Sequence, residues 1–330
     1  MTRLAVLGGG SWGTALAQTA GRAHHEVVLW ARDEALVAHI NTHRENPRYL
    51  PDLALDPAIR ATSDLAHAAR CEFLLLVVPA QHLRALAERL APVLPGGRPL
   101  VICSKGIERE SGALMSEVLA EVLPECPLAV LSGPTFAGEV ARDLPCAVTL
   151  ACAQESVGLA LLNTLGSRRF RPYLSDDVIG VEVGGAVKNV IAIACGIVIG
   201  RGLGENARAA LITRGLAEVA RLSGAKGGRP ETSMGLSGLG DLALTCCGLQ
   251  SRNYSLGVAL GEGRALADVL AERRTVAEGV FTAEAVSALA DSLGVEMPIC
   301  EAVQAVLNLG ADLGETIAGL LARPFRAERT

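Results

Sequence analysis

A glycine-rich stretch near the start of the sequence has the spacing of a phosphate-binding turn. Gly8, Gly10 and Gly13 form the pattern G-x-G-x-x-G, between an apolar run at 4–7 and helix-favouring residues at 14–18. The first glycine permits a tight turn, the second lets the backbone approach a pyrophosphate, and the third lets the helix pack closely on the strand. The anion would then face a helix N-terminus. The pattern predicts dinucleotide binding rather than an ordinary glycine-rich turn.

Arg32 and Asp33 follow the second predicted strand. An acidic residue about 20 positions beyond the glycines favours the ribose 2′-hydroxyl of NAD, whereas an arginine accommodates the 2′-phosphate of NADP. Because Arg32 comes first, the order favours NADP without excluding NAD. The alternative is that both residues form a solvated pair at the start of a helix.

Transfer of a hydride to or from an alcohol also needs an acid/base group. All six histidines lie within the first 82 residues and none directly follows a predicted strand, and no tyrosine has a lysine four residues later. Of the three lysines, Lys188 interrupts the most apolar helical run of the chain. Burial lowers the pKa of a lysine toward the range that a general base needs. Gly184, one turn earlier on the same face, would leave room for a ligand. The alternative is a lysine that reaches solvent or forms a structural ion pair.

Polar residues also follow two later strands. Lys105 comes after the predicted strand at 99–103, where a cation could meet a phosphate or a developing alkoxide. On position alone, a surface lysine is an equal alternative. Gly133 and Thr135 come after the strand at 128–132 and could offer a backbone amide and a hydroxyl to a polar ligand.

Two further candidates lie in the second half of the chain. Asp241 follows a glycine-rich turn, where a helix-capping aspartate is the common alternative. Ser251 caps a helix that carries Arg252 in its first turn. The helix dipole disfavours arginine at that position unless the amides and the guanidinium share an anion such as phosphate.

The elements that would position these residues fall into two groups. Up to about residue 176, short apolar strands alternate with helices, which predicts a Rossmann-type, doubly wound and mostly parallel sheet with its ligand at the carboxyl ends of the strands. A polar, proline-containing stretch at 47–58 predicts a loop. No convincing strand follows, which predicts an all-α domain, and we expect an α/β NAD(P)-binding domain over 1–180 and a helical substrate domain over 181–330. The predicted helical runs are 177–199, 205–222, 252–261, 265–273, 279–293 and 298–309.

Composition excludes several classes of function. The chain of 330 residues has a net charge of −5 with mixed signs, which argues against nucleic acid or an anionic membrane as the main partner. The nine cysteines form no C-x-x-C pair and no metal-ligand spacing, so we expect no metal site. Their odd number and the lack of a signal peptide predict a cytoplasmic protein. The apolar stretch at 179–200 contains Glu182, Lys188 and Asn189, which favours a buried helix over a membrane span.

Longer motifs carry a resemblance to a known family. The motifs occur in order between about residues 5 and 280 and read GGGSWGTALA, SKG, GPTFAGEVA, GAVKNVIAIACGI, GLGDLALTC, QSRN and VAEGV. The sequence resembles the bacterial NAD(P)-dependent glycerol-3-phosphate dehydrogenase family. Two small departures are Gly9, where alanine is usual, and Tyr254, where a basic residue is common.

The resemblance implies a helical domain like that of 6-phosphogluconate dehydrogenase. It also implies a homodimer that interconverts dihydroxyacetone phosphate and sn-glycerol 3-phosphate with NADP or NAD and so supplies the phospholipid backbone. Of the two cofactors, NADPH is favoured by the position of Arg32. Lys188 would accept the hydroxyl proton, assisted by Asp241 and Lys105. The implied substrate contacts are Lys105, Gly133, Thr135, Lys188, Asp241, Ser251, Arg252 and Asn253. The implied cofactor contacts, with Gly8, Gly10 and Gly13, are Ser11, Trp12, Arg32, Lys105, Ala137, Arg252, Val276 and Glu278.

Two other functions remain open on the sequence. A dehydrogenase of the same architecture could act on a 3-hydroxy acid, which would need a carboxylate site in place of a phosphate site. A non-catalytic NADP-binding sensor would keep the glycine turn but would not need Lys188, Asp241 or Arg252.

Overall fold

The computed structural model describes residues 2–272, 278–325 and 327, and the chain forms two compact units. One unit comprises the residues up to Lys105 together with Leu114–Val178. The other comprises Gly106–Ala113 and the residues from Ile179 onward. The short segment 106–113 therefore packs with the second unit, although strands of the first unit flank it in the sequence.

The first unit is built on an eight-stranded sheet with the order β10-β9-β8-β7-β6-β1-β2-β5. All neighbouring strands are parallel except β8 and β9, which are antiparallel. The strand order reverses at β1, so the residues after β1 lie at the switch point where such sheets bind ligands. The strands are β1 Arg3–Leu7, β2 Glu26–Trp30, β3 Glu45–Asn46, β4 Leu50–Ala54, β5 Ile59–Thr62, β6 Phe73–Leu76, β7 Leu100–Ile102, β8 Leu128–Ser132, β9 Cys146–Cys152 and β10 Phe170–Ser175.

Among the described residues of this unit there are seven α-helices, and the doubly wound, mostly parallel sheet is confirmed. The prediction of a loop over 47–58 is wrong in part, because β3 and β4 pair there as a small antiparallel hairpin. The alternation of exposed and buried residues that marks a hairpin is too short at this place to be recognised in the sequence. The helices are α1 Ser11–Arg22, α2 Glu34–His43, α3 Leu65–Ala69, α4 Leu83–Leu90, α5 Met115–Val122, α6 Ala137–Ala141 and α7 Glu155–Leu165.

The second unit is helical, and no strand occurs among its described residues. The six predicted helical runs are all present. Two short helices, α10 and α15, were not predicted, and a 3₁₀ turn at Pro230–Met234 and a π turn at Leu236–Gly240 precede α10. The helices are α8 Val178–Gly200, α9 Glu205–Lys226, α10 Asp241–Cys246, α11 Arg252–Gly261, α12 Leu266–Ala271, α13 Glu278–Leu293, α14 Pro298–Asn308 and α15 Leu313–Leu321.

Helix α8 forms the core of the second unit. By length and composition alone it could cross a membrane, and it is the one described helix that meets this test. However, 89% of its most apolar 18-residue window is buried within the protein. A helix with apolar residues on all its faces is typical of the interior of a domain. The few polar residues of α8 therefore lie in a buried environment.

Candidate active site

The glycine turn after β1 requires glycine at its first and third positions. Gly8 has φ +141°, and a Cβ added there would lie 2.4 Å from the carbonyl oxygen of Val77. A Cβ on Gly13 would lie 1.8 Å from the carbonyl oxygen of Gly8. The backbone amide of Gly8 also donates to the carbonyl of Trp30 at 3.0 Å. The turn is therefore packed between its own helix and the end of β6, as the spacing predicted.

The second glycine faces open space. A Cβ added to Gly10 would have no neighbour within 4 Å. Helix α1 begins directly after Gly10 with no side-chain cap and no acidic residue in its first turn. Amides at such a helix end attract an anion, so these residues fit the pyrophosphate of a dinucleotide. Gly9 instead packs against Ala31, whose Cβ would lie 2.8 Å from a Cβ at position 9.

Ser11 and Trp12 form the first turn of α1. Ser11 Oγ donates to the carbonyl oxygen of Tyr49 at 2.8 Å, which ties the helix to the β3–β4 hairpin. The indole nitrogen of Trp12 is buried and has no hydrogen-bond partner among the described residues. Their predicted contacts with the cofactor remain predictions.

Asn46 stabilises the same turn and was missed by sequence reasoning. It is fully buried, and its Nδ2 donates to the carbonyl of Gly9 at 3.0 Å and to Oγ1 of Thr14 at 2.8 Å. The residue lies 33 positions after the last glycine of the turn, and only the unpredicted hairpin brings it there. No local sequence signal could have identified it.

Arg32 is exposed after the end of β2, and Asp33 is engaged in protein contacts. Asp33 Oδ1 accepts a hydrogen bond from the backbone amide of Leu36 at 3.1 Å and so caps α2. Its Oδ2 lies 3.3 Å from Nη1 of Arg48 on the hairpin. The helix cap, which was the alternative on the sequence, is therefore present for Asp33. Both carboxylate oxygens of Asp33 are therefore engaged in contacts within the protein. They are the atoms that would otherwise accept a hydrogen bond from a ribose 2′-hydroxyl.

The ends of β7 and β8 bring Lys105, Gly133 and Thr135 together. Lys105 Nζ donates to the carbonyl oxygen of Gly133 at 3.1 Å, and Thr135 Oγ1 donates to the same oxygen at 3.3 Å. Gly133 has φ +152°, and a Cβ there would lie 2.9 Å from Cα of Val148. Ala137 follows as the first residue of α6. An ammonium and a hydroxyl therefore meet beside a glycine turn, and the predicted substrate contacts of these residues remain predictions.

Lys188 lies near the middle of α8, 7% exposed, and donates hydrogen bonds to two residues of α10. Its Nζ donates to Oδ1 of Asp241, and to Oγ1 of Thr245 at 2.9 Å. Asp241 is fully buried, and Thr245 donates its own hydroxyl to the carbonyl of Asp241 at 2.6 Å. The burial excludes a lysine that reaches solvent. The ion pair that the sequence left open as the other alternative is present, between Lys188 and Asp241.

Thr245 was not among the predicted site residues. It lies one helical turn after Asp241, on the same face. That four-residue spacing is the signal that could have identified it. The prediction that Gly184 leaves room for a ligand is wrong, because the carbonyl oxygen of Ser237 lies 2.8 Å from where its Cβ would be.

Ser251 and Arg252 begin α11 as expected. Ser251 Oγ accepts a hydrogen bond from the backbone amide of Tyr254 at 3.2 Å, and the side chain of Arg252 is exposed. Helix α11 packs so closely on α8 that a Cβ on Gly257 would lie 2.1 Å from the carbonyl of Ile193. This contact holds α11, the helix that begins with Arg252, against α8. An exposed guanidinium beside a helix N-terminus can bind an anion.

Asn253 joins three helices of the second unit. Its Nδ2 donates to Oδ1 of Asn189 on α8 at 2.9 Å, and its Oδ1 accepts from the amide of Gly279 on α13 at 3.1 Å. Glu278 precedes Gly279 as the first residue of α13. The predicted ligand contacts of Asn253 and Glu278 remain predictions, and Val276 lies outside the described residues.

Metal and thiol chemistry find little support in the described part of the chain. No group of three or more histidine, cysteine, aspartate or glutamate residues there could hold a metal ion. The nine cysteines are free thiols. Burial raises the pKa of the Cys103 thiol, and contact with Cys195 together with burial raises that of Cys246. These thiols are therefore protonated near neutral pH and are poor nucleophiles.

A Rossmann-type sheet whose first turn suits a dinucleotide, together with a helical unit that buries a lysine–aspartate pair, defines a nicotinamide-nucleotide-dependent dehydrogenase. Family models identify it more closely. The chain belongs to the NAD-dependent glycerol-3-phosphate dehydrogenase family, whose N-terminal model matches residues 3–158 and whose C-terminal model matches residues 177–318. The predicted family, the enzyme class and a cofactor that is NAD or NADP are confirmed.

Individual relatives align with this chain over nearly its full length. The chain is 60% identical to a glycerol-3-phosphate dehydrogenase [NAD(P)+] of Rhodospirillum rubrum, over 98% of this chain and 93% of the relative. It is 57% identical to the protein of the same name in Parvibaculum lavamentivorans, over 99% and 98% of the two chains. The crystal structure of a glycerol-3-phosphate dehydrogenase from Coxiella burnetii matches with a TM-score of 0.94 and 40% identity, over 98% of this chain and 99% of that chain.

Proposed function

We propose that the chain interconverts dihydroxyacetone phosphate and sn-glycerol 3-phosphate by reversible hydride transfer with NADPH or NADH. The observation that carries the proposal is the buried contact between Lys188 and Asp241, in a chain of the family described above. A purely structural ion pair at this depth is costly to form and is weak evidence of stability. A role of Lys188 as the acid/base group beside a substrate alcohol would explain why this buried pair is present.

Lys188 holds and moves the proton at the C2 oxygen of the substrate. In the reduction its ammonium donates a proton to the carbonyl oxygen, and in the oxidation its neutral amine accepts the hydroxyl proton. Asp241 and Thr245, which receive hydrogen bonds from Nζ, fix the direction of that amine. The nicotinamide ring, when bound, supplies or accepts the hydride. Orientation by two fixed partners reduces the entropy that the proton transfer would otherwise lose.

Arg252 binds the phosphate of the substrate. Its guanidinium stands in the first turn of α11, where Ser251 caps the helix. An arginine repelled by the helix dipole gains a favourable environment once a doubly charged anion lies between it and the helix amides. Asn253 keeps this helix end attached to α8 through Asn189. A singly charged carboxylate would interact less strongly with the guanidinium and the helix amides. The arrangement therefore favours a phosphorylated substrate over a 3-hydroxy acid.

The first unit contributes the cofactor contacts of Gly8, Gly10, Ser11, Trp12, Gly13, Arg32 and Ala137. Lys105, Gly133 and Thr135 bind polar groups of the substrate, and Lys105 steadies an oxygen that develops negative charge. The family resemblance also assigns cofactor contacts to Glu278 and to Val276, of which Val276 lies outside the described residues. Each of these roles rests on the family resemblance together with the local geometry given above.

The product sn-glycerol 3-phosphate is the backbone of glycerophospholipids, so the reaction would feed lipid synthesis in the cytoplasm. A homodimer is the expected assembly. Both statements rest on the family.

The deciding experiment measures oxidation of NADPH and of NADH at equal concentration, with dihydroxyacetone phosphate as the acceptor. The proposal expects turnover with this substrate and little with a panel of 3-oxo acids. Turnover confined to the acids would identify a hydroxy acid dehydrogenase. Cofactor binding, followed by fluorescence, without any hydride transfer would identify a sensor.

A further inference from the structure

The turn that leads into Asp241 is a π turn, in which the helix carries one extra residue per turn. Within Leu236–Gly240, the amide of Gly240 donates to the carbonyl of Gly235, five residues earlier, at 3.1 Å. Such turns are rare and occur frequently at functional sites. This one is buried at Ser237, which is 1% exposed.

The π turn lies directly against α8 at Gly184. A Cβ on Gly184 would lie 2.8 Å from the carbonyl oxygen of Ser237, 3.3 Å from its carbonyl carbon and 3.4 Å from Cα of Gly238. The first of these distances is too short for a real Cβ. Because the neighbouring atoms are backbone, no side-chain rotation could relieve the contact.

The contact lies at the same distance along both segments from the lysine–aspartate pair. Gly184 precedes Lys188 by four residues on α8, and Ser237 precedes Asp241 by four residues on the other segment. Residues four apart on a helix share a face. The approach of the two backbones at Gly184 and Ser237 is therefore one turn away from the approach of the two side chains.

The turn is also close-packed against the segment that precedes it. A Cβ on Gly238 would lie 2.0 Å from the carbonyl oxygen of Ser233, in the preceding 3₁₀ turn. The π turn therefore makes close backbone approaches both to the 3₁₀ turn and to α8. A Cβ at Gly184 would push against this turn, which leads directly into Asp241.

We propose that Gly184 is a positioning residue: its missing side chain lets the π turn lie against α8 at the separation that brings Asp241 to Lys188. The role of the pair in the reaction rests on the proposed function. The geometric claim does not, because it concerns only the separation of Nζ and Oδ1.

Gly184→Ala tests the claim in the full-length protein. We expect a crystal structure of this variant to show the π turn displaced and Lys188 Nζ separated from Asp241 Oδ1. We expect kcat to fall by about 10- to 100-fold, as for small misplacements of catalytic groups. The KM for dihydroxyacetone phosphate and the Kd for NADPH should change by less than about 3-fold, since the phosphate and cofactor contacts are untouched.

Gly215→Ala is the matched control. A Cβ on Gly215 of α9 would also lie 2.8 Å from α8, but from the side chain of Ile191 rather than from backbone. A side chain can repack where a backbone carbonyl cannot, so this variant should lose thermal stability and keep kcat. An equal loss of kcat in both variants would show that Gly184 acts only through general packing and would overturn the proposal.

A second variant covers the case in which Gly184→Ala does not fold. Deletion of Leu239, whose side chain is 36% exposed, removes one residue from the π turn. The following residue is then rotated by about 100° around the helix axis, so kcat should be lost with cooperative unfolding retained. Full activity of the deletion variant, or an unchanged Nζ–Oδ1 separation in Gly184→Ala, would overturn the proposal. Absence of turnover in the unmodified enzyme would refute the proposed function alone.

Discussion

Lys188 and Asp241 are 53 residues apart in the sequence and in direct hydrogen-bond contact inside the helical unit. The carboxylate is fully buried, and the lysine is 7% exposed. Thr245 receives the second hydrogen bond of the ammonium at 2.9 Å. The three side chains form one network, so removal of any member changes the environment of the other two.

Replacing Lys188 by alanine should remove catalysis while leaving cofactor binding intact. The acid/base contribution predicts a fall in kcat of about 10²-fold or more. Two quantities are measured: the turnover of dihydroxyacetone phosphate, and the affinity for NADPH by fluorescence titration. Lys226→Ala, a change at the C-terminal end of α9, is the control. Nearly unchanged turnover in Lys188→Ala would show that another group carries the proton.

The pair of Lys188 and Asp241 predicts that loss of one charge destabilises the protein more than loss of both. Lys188→Met should lower the free energy of unfolding by about 3–5 kcal/mol, because it leaves the buried carboxylate of Asp241 without its cation. The double variant Lys188→Met/Asp241→Leu should recover most of that loss, since both charges are then absent. Urea unfolding of the two variants and the unmodified enzyme measures the difference. Equal stability of the single and double variants would mean that Asp241 is compensated by other groups.

Arg252→Ala should weaken binding of the phosphorylated substrate. Loss of charge-assisted hydrogen bonds worth about 1.5–3 kcal/mol corresponds to a rise in KM of about 10- to 100-fold. Arg264→Ala is the control, because that exposed arginine lies beyond the other end of α11 and pairs with Glu272. An unchanged KM in Arg252→Ala would remove this residue from the phosphate site.

The sequence predicted the residues whose function depends on local spacing. The glycine turn, the serine cap of α11 and the alternation of strands and helices each follow from contacts within a few residues, and the structure contains all of them. Lys188 could be identified because a charge inside an apolar helix is conspicuous in any sequence.

Long-range contacts could not be predicted in the same way. Asn46 reaches the glycine turn only because a two-residue strand pairs with β4. Segment 106–113 packs with the helical unit through contacts that leave no periodic pattern. The space beside Gly184 was misjudged because a helical wheel shows which face a residue occupies and not which backbone lies opposite it.

Arg32 should control the choice between NADP and NAD. Asp33 is engaged by the Leu36 amide and by Arg48, so Arg32 is the exposed group that remains at the end of β2. Arg32→Ala should lower the affinity for 2′,5′-ADP by about 10-fold and leave that for 5′-ADP unchanged, as measured by titration calorimetry. Arg60→Ala on β5, whose Nη1 donates to a nearby carbonyl at 2.9 Å, is the control. Equal losses for both nucleotides would contradict a 2′-phosphate contact.

Glu218 on α9 should make stability depend on pH. Its side chain, 1% exposed, accepts hydrogen bonds from the amides of Ile299 at 2.8 Å and Cys300 at 3.2 Å at the start of α14. Burial nevertheless raises the pKa of this carboxyl from 4.5 to about 6. The folded chain therefore binds the proton more tightly than the unfolded chain, and the stability so gained is present below pH 4.5 and lost as the pH rises through about 6. Urea unfolding gives the free energy of unfolding of the unmodified enzyme and of Glu218→Gln. The first value minus the second should fall by about 2 kcal/mol as the pH rises from 4.5 to about 6. Glu315→Gln on α15 controls for the loss of one negative charge, and a difference that rises with pH would contradict the assignment.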